Sequence, residues 1–225
     1  MKKSLSLIIC VLFVTVVLHA QNYTVAHGSD EHITNDIHYP TAVGVKGTQT
    51  AEFKLENIAT APGCAAYFDR TSTVFEVKAG DIITPSVTIN GAWMHSFIFV
   101  DWSQNGQFEV NLLGDGPYTE GEGNELVSYS HYNMASSTVN NGWNSAGEAV
   151  GGNVLTPCTF RVPAHLAVGS SYRMRYSVTW NCARPDGDYP NFISDGGSII
   201  DVTLKIVGVA ENVQKYPIDN YEEPS

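Results

Sequence analysis

Residues 171–180 read "SYRMRYSVTW". Side chains alternate along an extended chain, so Tyr172, Met174, Tyr176 and Val178 share one face and Arg173, Arg175, Ser177 and Thr179 share the other. The first face is built to enter a core, and the second needs polar partners. "SIIDVTLKIV" at 198–207 repeats the pattern, with Ile200, Val202, Leu204 and Ile206 opposite Asp201, Thr203 and Lys205. If the two strands are neighbours, Arg173 and Arg175 meet Asp201 as cross-strand ion pairs, which is a second use for those charges beside ligand binding.

Working outward, Phe53 and Leu55 alternate, and Val74–Val77 and Val87–Ile89 are short β-branched stretches. Ser96–Trp102 is apolar on both faces, as a central strand is. Glycine-bearing turns at 80, 91, 106, 114–116, 121–123, 151–152, 187 and 196–197 punctuate these runs. After position 40 no stretch carries a helical period. The expectation is an all-β chain: a single-domain antiparallel β-sandwich of jelly-roll or Ig-like type over 48–208. Residues 21–47 read as a polar leader and 209–225 as a loose tail ending "NYEEPS".

The chain opens with Lys2 and Lys3 ahead of an apolar run from Leu5 to Leu18, too short for a comfortable membrane span. His19-Ala20 then meets the polar Gln21, so residues 1–20 read as a cleaved signal peptide and the mature protein as secreted or extracytoplasmic. Without Lys2 and Lys3, ten basic residues face 23 acidic ones, a formal charge of −13 (12 − 2 − 23). That balance excludes a nucleic-acid binder, whose phosphates need a basic patch, and an anionic lipid surface. No membrane insertion is expected after signal cleavage. Cys64, Cys158 and Cys182 remain in the mature chain; outside the cytoplasm two can pair, and the sequence leaves the pair open.

"FVDWSQNGQFEV" at 99–110 has two readings. Asp101, Ser103, Asn105 and Gly106 sit at positions 1, 3, 5 and 6 of an EF-hand loop, but the twelfth residue is Leu112 where the bidentate Glu belongs. A shallower Ca²⁺ site can be drawn from Asp101, Asn105, the Gln107 carbonyl and Glu109, weak because it holds two carboxylates. The plainer reading is a type I′ hairpin turn at Asn105-Gly106.

The order of several motifs carries a family resemblance. "FVDWSQNGQF" is followed by Gly147-Glu148, "FRVP" at 160–163, "GSSYRMRYSV" and "GGSIIDVTLKI". Over about residues 65 to 207 this series resembles the GEVED-type domain, a β-sandwich module of secreted and surface proteins of Bacteroides-like bacteria. Asp101, Trp102, Gly106, Phe108, Val162, Pro163, Arg173, Met174, Arg175, Gly197 and Asp201 fall on matching positions. Both glutamates of the family's naming stretch are absent from Gly197–Val202. The resemblance implies an adhesive or accessory module and no general catalytic activity.

Aromatics supply the remaining candidates. Trp93 and Trp102 flank strands, and Trp102 fits a buried position of the family. Trp143 lies in the polar "NNGWNSAG", and "WNCARPDGDYPNF" places Trp180, Asp186, Asp188, Tyr189 and Asn191 together. A flat apolar ring flanked by Asn and Asp suits a sugar, whose ring face is apolar and whose edge is polar. Ordinary packing beneath long loops is the competing use. There is no GxSxG, no HExxH and no glycine loop opening a helix. His95 and His131 sit beside strands, and His27, His32 and His38 are spaced five and six apart in the leader, a poor metal arrangement. The function expected is a non-enzymatic binding or adhesion module whose partner is a glycan or another surface polymer. The alternative is a structural or accessory subunit with a protein partner, and a carboxylate-dependent hydrolase ranks behind both.

Overall fold

The computed structural model describes residues 23–27, 38–58, 67–92, 94–110, 125–131, 142–150, 155–180, 192–193 and 197–211, with backbone alone at 26, 27, 131, 142, 143, 180, 192 and 193. Every regular element among them is a strand. In chain order these are β1 (Ala26–His27), β2 (Tyr39–Gly47), β3 (Phe53–Glu56), β4 (Tyr67–Ala79), β5 (Ile82–Asn90), β6 (Met94–Val100) and β7 (Leu126–His131). Then come β8 (Gly142–Asn144), β9 (Ala149–Val150), β10 (Phe160–Arg161), β11 (Ser171–Trp180), β12 (Phe192–Ile193) and β13 (Gly197–Val209).

A four-stranded sheet, β10-β5-β2-β3, faces a seven-stranded sheet, β4-β13-β11-β6-β7-β8-β9. The inward faces predicted from alternation form the core between them. Met174, Tyr176 and Val178 of β11 and Val202, Leu204 and Ile206 of β13 pack with Val43 and Val45 of β2 and Ile83 of β5. Burying each such side chain contributes about 1.5–3 kcal/mol. The Tyr176 hydroxyl donates to the Gly44 carbonyl at 2.9 Å, so the largest core residue also satisfies its polar atom across the sandwich. The chain passes from β4 to β5, and so from sheet to sheet, at Gly80-Asp81. Gly80 has φ 81°, a left-handed conformation glycine adopts freely. Asp81 closes the corner by accepting from the Ile82 amide at 2.8 Å and the Gln49 amide at 3.0 Å.

Two expectations change. The sandwich begins at Tyr39, within the stretch read as leader: β2 is a central strand whose Val43 and Val45 are buried. Small residues (Ala42, Gly44) on its other face had blunted the alternation. Pairing is also not purely antiparallel. β13 runs parallel to β4, and β1 runs parallel to β12 in a separate two-stranded ribbon. The polar face of β11 is buried as well: Arg175, Ser177 and Thr179 are at most 1% exposed. The seven-stranded sheet is therefore covered on its outer face too. Val25 and Tyr67 pack on Ile199 there, and Tyr23, Phe97, Phe99, Phe108, Leu126 and Tyr129 form a second apolar cluster.

Among the described residues no helix is long and apolar enough to cross a membrane; the apolar run at 5–18 lies outside them. Cys158 is a free thiol, and Cys64 and Cys182 lie outside the described residues.

Candidate functional site

The 101–110 turn is built around one saturated carboxylate. Asp101 is fully buried. Its Oδ1 accepts from Ser103 Oγ at 3.0 Å and the Asn105 amide at 3.3 Å. Its Oδ2 accepts from the Gly106 amide at 2.9 Å and from the Tyr23 hydroxyl. A carboxylate offers about four lone-pair sites, and four protein donors fill them. From the other side Glu125, also buried, accepts from the Ser103 amide at 2.9 Å and the Glu109 amide at 2.8 Å. Burial pushes the Glu125 carboxyl above its ordinary pKa, and the Asp101 charge adds to this, against the two amide bonds.

This arrangement replaces the type I′ hairpin. That turn needs positive φ at both Asn105 and Gly106, whereas positive φ falls at Gln104 (56°) and Gly106 (85°). The carboxylate of Asp101 captures the amides at 105 and 106 and curls the loop back on itself, and β7, the next strand and an antiparallel partner of β6, begins only at Leu126. The drawn calcium ligands are used otherwise: Asn105 Nδ2 donates to Glu109 Oε1 at 2.9 Å, and Asn105 Oδ1 accepts the Gln107 amide at 2.9 Å. Among the described residues no group of three or more His, Cys, Asp or Glu side chains is placed to hold a metal ion. The melting temperature is therefore expected to be the same in millimolar Ca²⁺ and in chelator; a rise with Ca²⁺ would show that a cation displaces one of the Asp101 donors.

A buried ion network lies beside the turn. β11 and β13 place Arg175 directly opposite Asp201. Arg175 Nε donates to Asp201 Oδ1 and Nη2 to Oδ2, both at 2.7 Å, a bidentate pair with neither side chain exposed. Arg173 Nη1 reaches Asp201 Oδ2 at 3.1 Å, and the Tyr67 hydroxyl donates to the same oxygen at 2.9 Å. The guanidinium of Arg173 lies 4.3 Å from the Tyr23 ring centroid, and that of Arg175 lies 4.9 Å from Phe108. Arg175 Nη2 also donates to the Tyr23 carbonyl at 3.1 Å. The expected cross-strand pairs are present, but as the centre of a covered layer.

Tyr23, Tyr67 and Glu125 belong to this machinery and were not singled out in the sequence. Burial, then the charge and hydrogen bond of Asp201, push the Tyr67 phenol up to about 12. A raised phenol contributes stability that is complete below its ordinary pKa of 10.0 and lost as pH rises through about 12. The difference in phenolate absorbance between wild type and Tyr67→Phe should therefore show a step near pH 12. A step near 10 would mean the Asp201 bond is absent in solution.

The aromatic candidates stand at the other end of the sheet. Register sets Trp180 opposite Met94, Thr179 opposite Gly197 and His131 opposite Trp143. The C-termini of β7 and β11 thus share one end with the N-termini of β6, β8 and β13. The Asp101 turn leaves β6 at its far end, six residues on, or roughly 20 Å at strand rise. The two candidate sites are therefore separate. Asp186, Asp188, Tyr189 and Asn191 lie outside the described residues, in the connection that leaves β11 after Trp180.

No family model matches the chain, and no curated protein does. Among solved structures, the third cohesin of ScaC from Acetivibrio cellulolyticus, in complex with the ScaB dockerin, aligns at 15% identity and a TM-score of 0.26. The alignment covers 63% of this chain and 98% of that one. The fold class follows from the sheets themselves: this chain is a β-sandwich.

Proposed function

We propose that the chain is an exported, non-catalytic β-sandwich module of the GEVED type that binds a neutral glycan or another surface polymer. The binding end is the one where β11 closes on Trp180. The carrying observation is the register that brings Trp143, on β8, to the same end of the sheet as Trp180, although 37 positions (180 − 143) separate the two tryptophans in sequence. The buried carboxylates support a non-catalytic reading, since Asp101, Glu125 and Asp201 are each committed to donors of the fold. A glycan array should return neutral oligosaccharide hits, and Trp180→Ala or Trp143→Ala should weaken them roughly tenfold or more per stacked ring. An array without hits would sink the reading.

One observation favours the alternative of an assembly subunit. Val74 of β4 and Val207 and Val209 of β13 are 39–56% exposed on neighbouring strands. Concentration-dependent mass in light scattering would support that use.

A further inference from the structure

We infer that the valines exposed at the C-terminal end of β13 form the apolar centre of an interface between two copies of this chain. The inference rests on the assembly-subunit reading and gives it a partner; it does not depend on glycan binding. Among the described residues the exposed large hydrophobics are Val74, Val168, Val207 and Val209, at 39, 58, 43 and 56%. They are gathered, not scattered. Val207 and Val209 lie where β13 pairs with Val77–Ala79 of β4. The Gly169 amide donates to the Ile206 carbonyl at 2.7 Å, and the Ile206 amide donates to the Ser170 carbonyl at 2.9 Å, so Val168 is held beside Val207 from the β11 side. Val74 stands on β4 opposite Thr203, four positions before Val207. Single exposed apolar residues are ordinary surface, but a group drawn from three separate segments of the chain marks an interaction site.

Charge selects the occupant. The chain carries a formal charge of −11, so two copies repel each other across most of their surfaces. Around the valines the balance differs. Lys205 lies directly opposite Glu76, Lys78 lies opposite Gly208, and Glu211 follows Val209 by two positions, so two cations stand against two anions. A second copy meets this neutral frame without the general repulsion, and a two-fold axis lets the lysines of one copy face the glutamates of the other. A lipid surface does not fit, because the frame has no basic excess and the exposed apolar residues are valines without an aromatic anchor. β4 is the outermost strand of its sheet, a position open to strand addition. Its register with β13 jumps from Asp69 to Val74, however, and a bulge of that kind twists the edge away. The geometry favours a closed pair held by side chains over an open stack. Ser171 is opposite Lys205 and Trp180 ends β11, roughly 30 Å away at strand rise, so the interface leaves the proposed ligand-binding end free.

The test is sedimentation equilibrium of the full mature chain from about 1 to about 300 μM. Wild type should show a reversible monomer–dimer equilibrium with a Kd on the order of 10–100 μM, as suits a small apolar centre. Val207→Thr combined with Val209→Thr keeps the β-branched shape and should weaken association roughly tenfold or more. Its melting temperature should stay at the wild-type value, since both positions are on the surface. Lys78→Glu combined with Lys205→Glu takes the frame from zero (2 − 2) to −4 (0 − 4) and should leave monomer throughout. Wild type that is monomeric at every concentration would overturn the inference, and the assembly reading would then need a different protein as partner. Dimers that form equally well in both variants would overturn it too, since association would use another surface while the assembly reading stands. Mass that climbs past the dimer without limit would overturn the closed pair.

Discussion

Replacing Arg175 by methionine should destabilise the protein by about 3–5 kcal/mol, the cost of breaking a buried ion pair from one side. At about 2–4 °C per kcal/mol for a chain of this size, the melting temperature should fall by roughly 6–20 °C. Asp201 is fully buried and, among the described residues, would keep only Arg173 Nη1 and the Tyr67 hydroxyl, both on Oδ2, so Oδ1 would lose its described donor. The Tyr23 carbonyl would lose its Nη2 donor at the same time. Methionine fills much of the volume, so the loss reads the charge and not a cavity. Arg175→Lys should recover little, because a point charge cannot reproduce two parallel bonds of 2.7 Å. The pair is separated from its surroundings by a double-mutant cycle. Arg175→Met with Asp201→Asn should cost clearly less than the sum of the single changes. A single-variant loss below about 1 kcal/mol, the value of an exposed pair, would show that this layer is open to solvent.

That layer marks the boundary of what the residues disclosed in advance. β11 and β13 were legible because their apolar and polar positions alternate without a break, and opposite charges on facing strands pointed to the Arg–Asp pairing. Alternation carries no direction, however, so the parallel run of β4 along β13 was invisible. So was the irregularity at Asp201/Thr203, where β4 passes from Asp69 to Val74. Asn105-Gly106 misled because a dipeptide preference was outweighed by a carboxylate four and five residues upstream that binds both amides. β2 was missed because Ala42 and Gly44 thin its pattern. Tyr23 was missed for a different reason. It is a lone aromatic among polar neighbours, and its partners lie 78 and 152 residues away. No local window contains them.

Tyr23 gives the second large expectation. Tyr23→Phe should cost about 1–3 kcal/mol, the cost of removing one partner of a buried charged group, since Asp101 would lose one of its two donors on Oδ2 and keep the Gly106 amide. Tyr23→Ala should cost about 3–5 kcal/mol, because the ring is buried against Phe108, 5.6 Å between centroids, and beneath the Arg173 guanidinium. Deleting residues up to His27 should cost more again. It removes the Tyr23 carbonyl that Arg175 binds, the Val25 contact on Ile199 and the β1 strand that pairs with Phe192–Ile193. The order phenylalanine, alanine, deletion separates three contributions: the phenol bond, the ring, and the peptide backbone of the arm. The deletion should also expose Ile199 and the apolar cluster of Phe97, Phe99 and Phe108, measurable as new binding of a hydrophobic dye to a folded protein. If all three forms melt with wild type, residues 23–27 are a leader after all, and Arg175 and Asp201 must be sheltered by something else. If the series falls in the stated order, residues 23–27 are a third layer of the sandwich. The ion network on the outer face is then closed by the arm, and its burial cannot outlast the arm's removal.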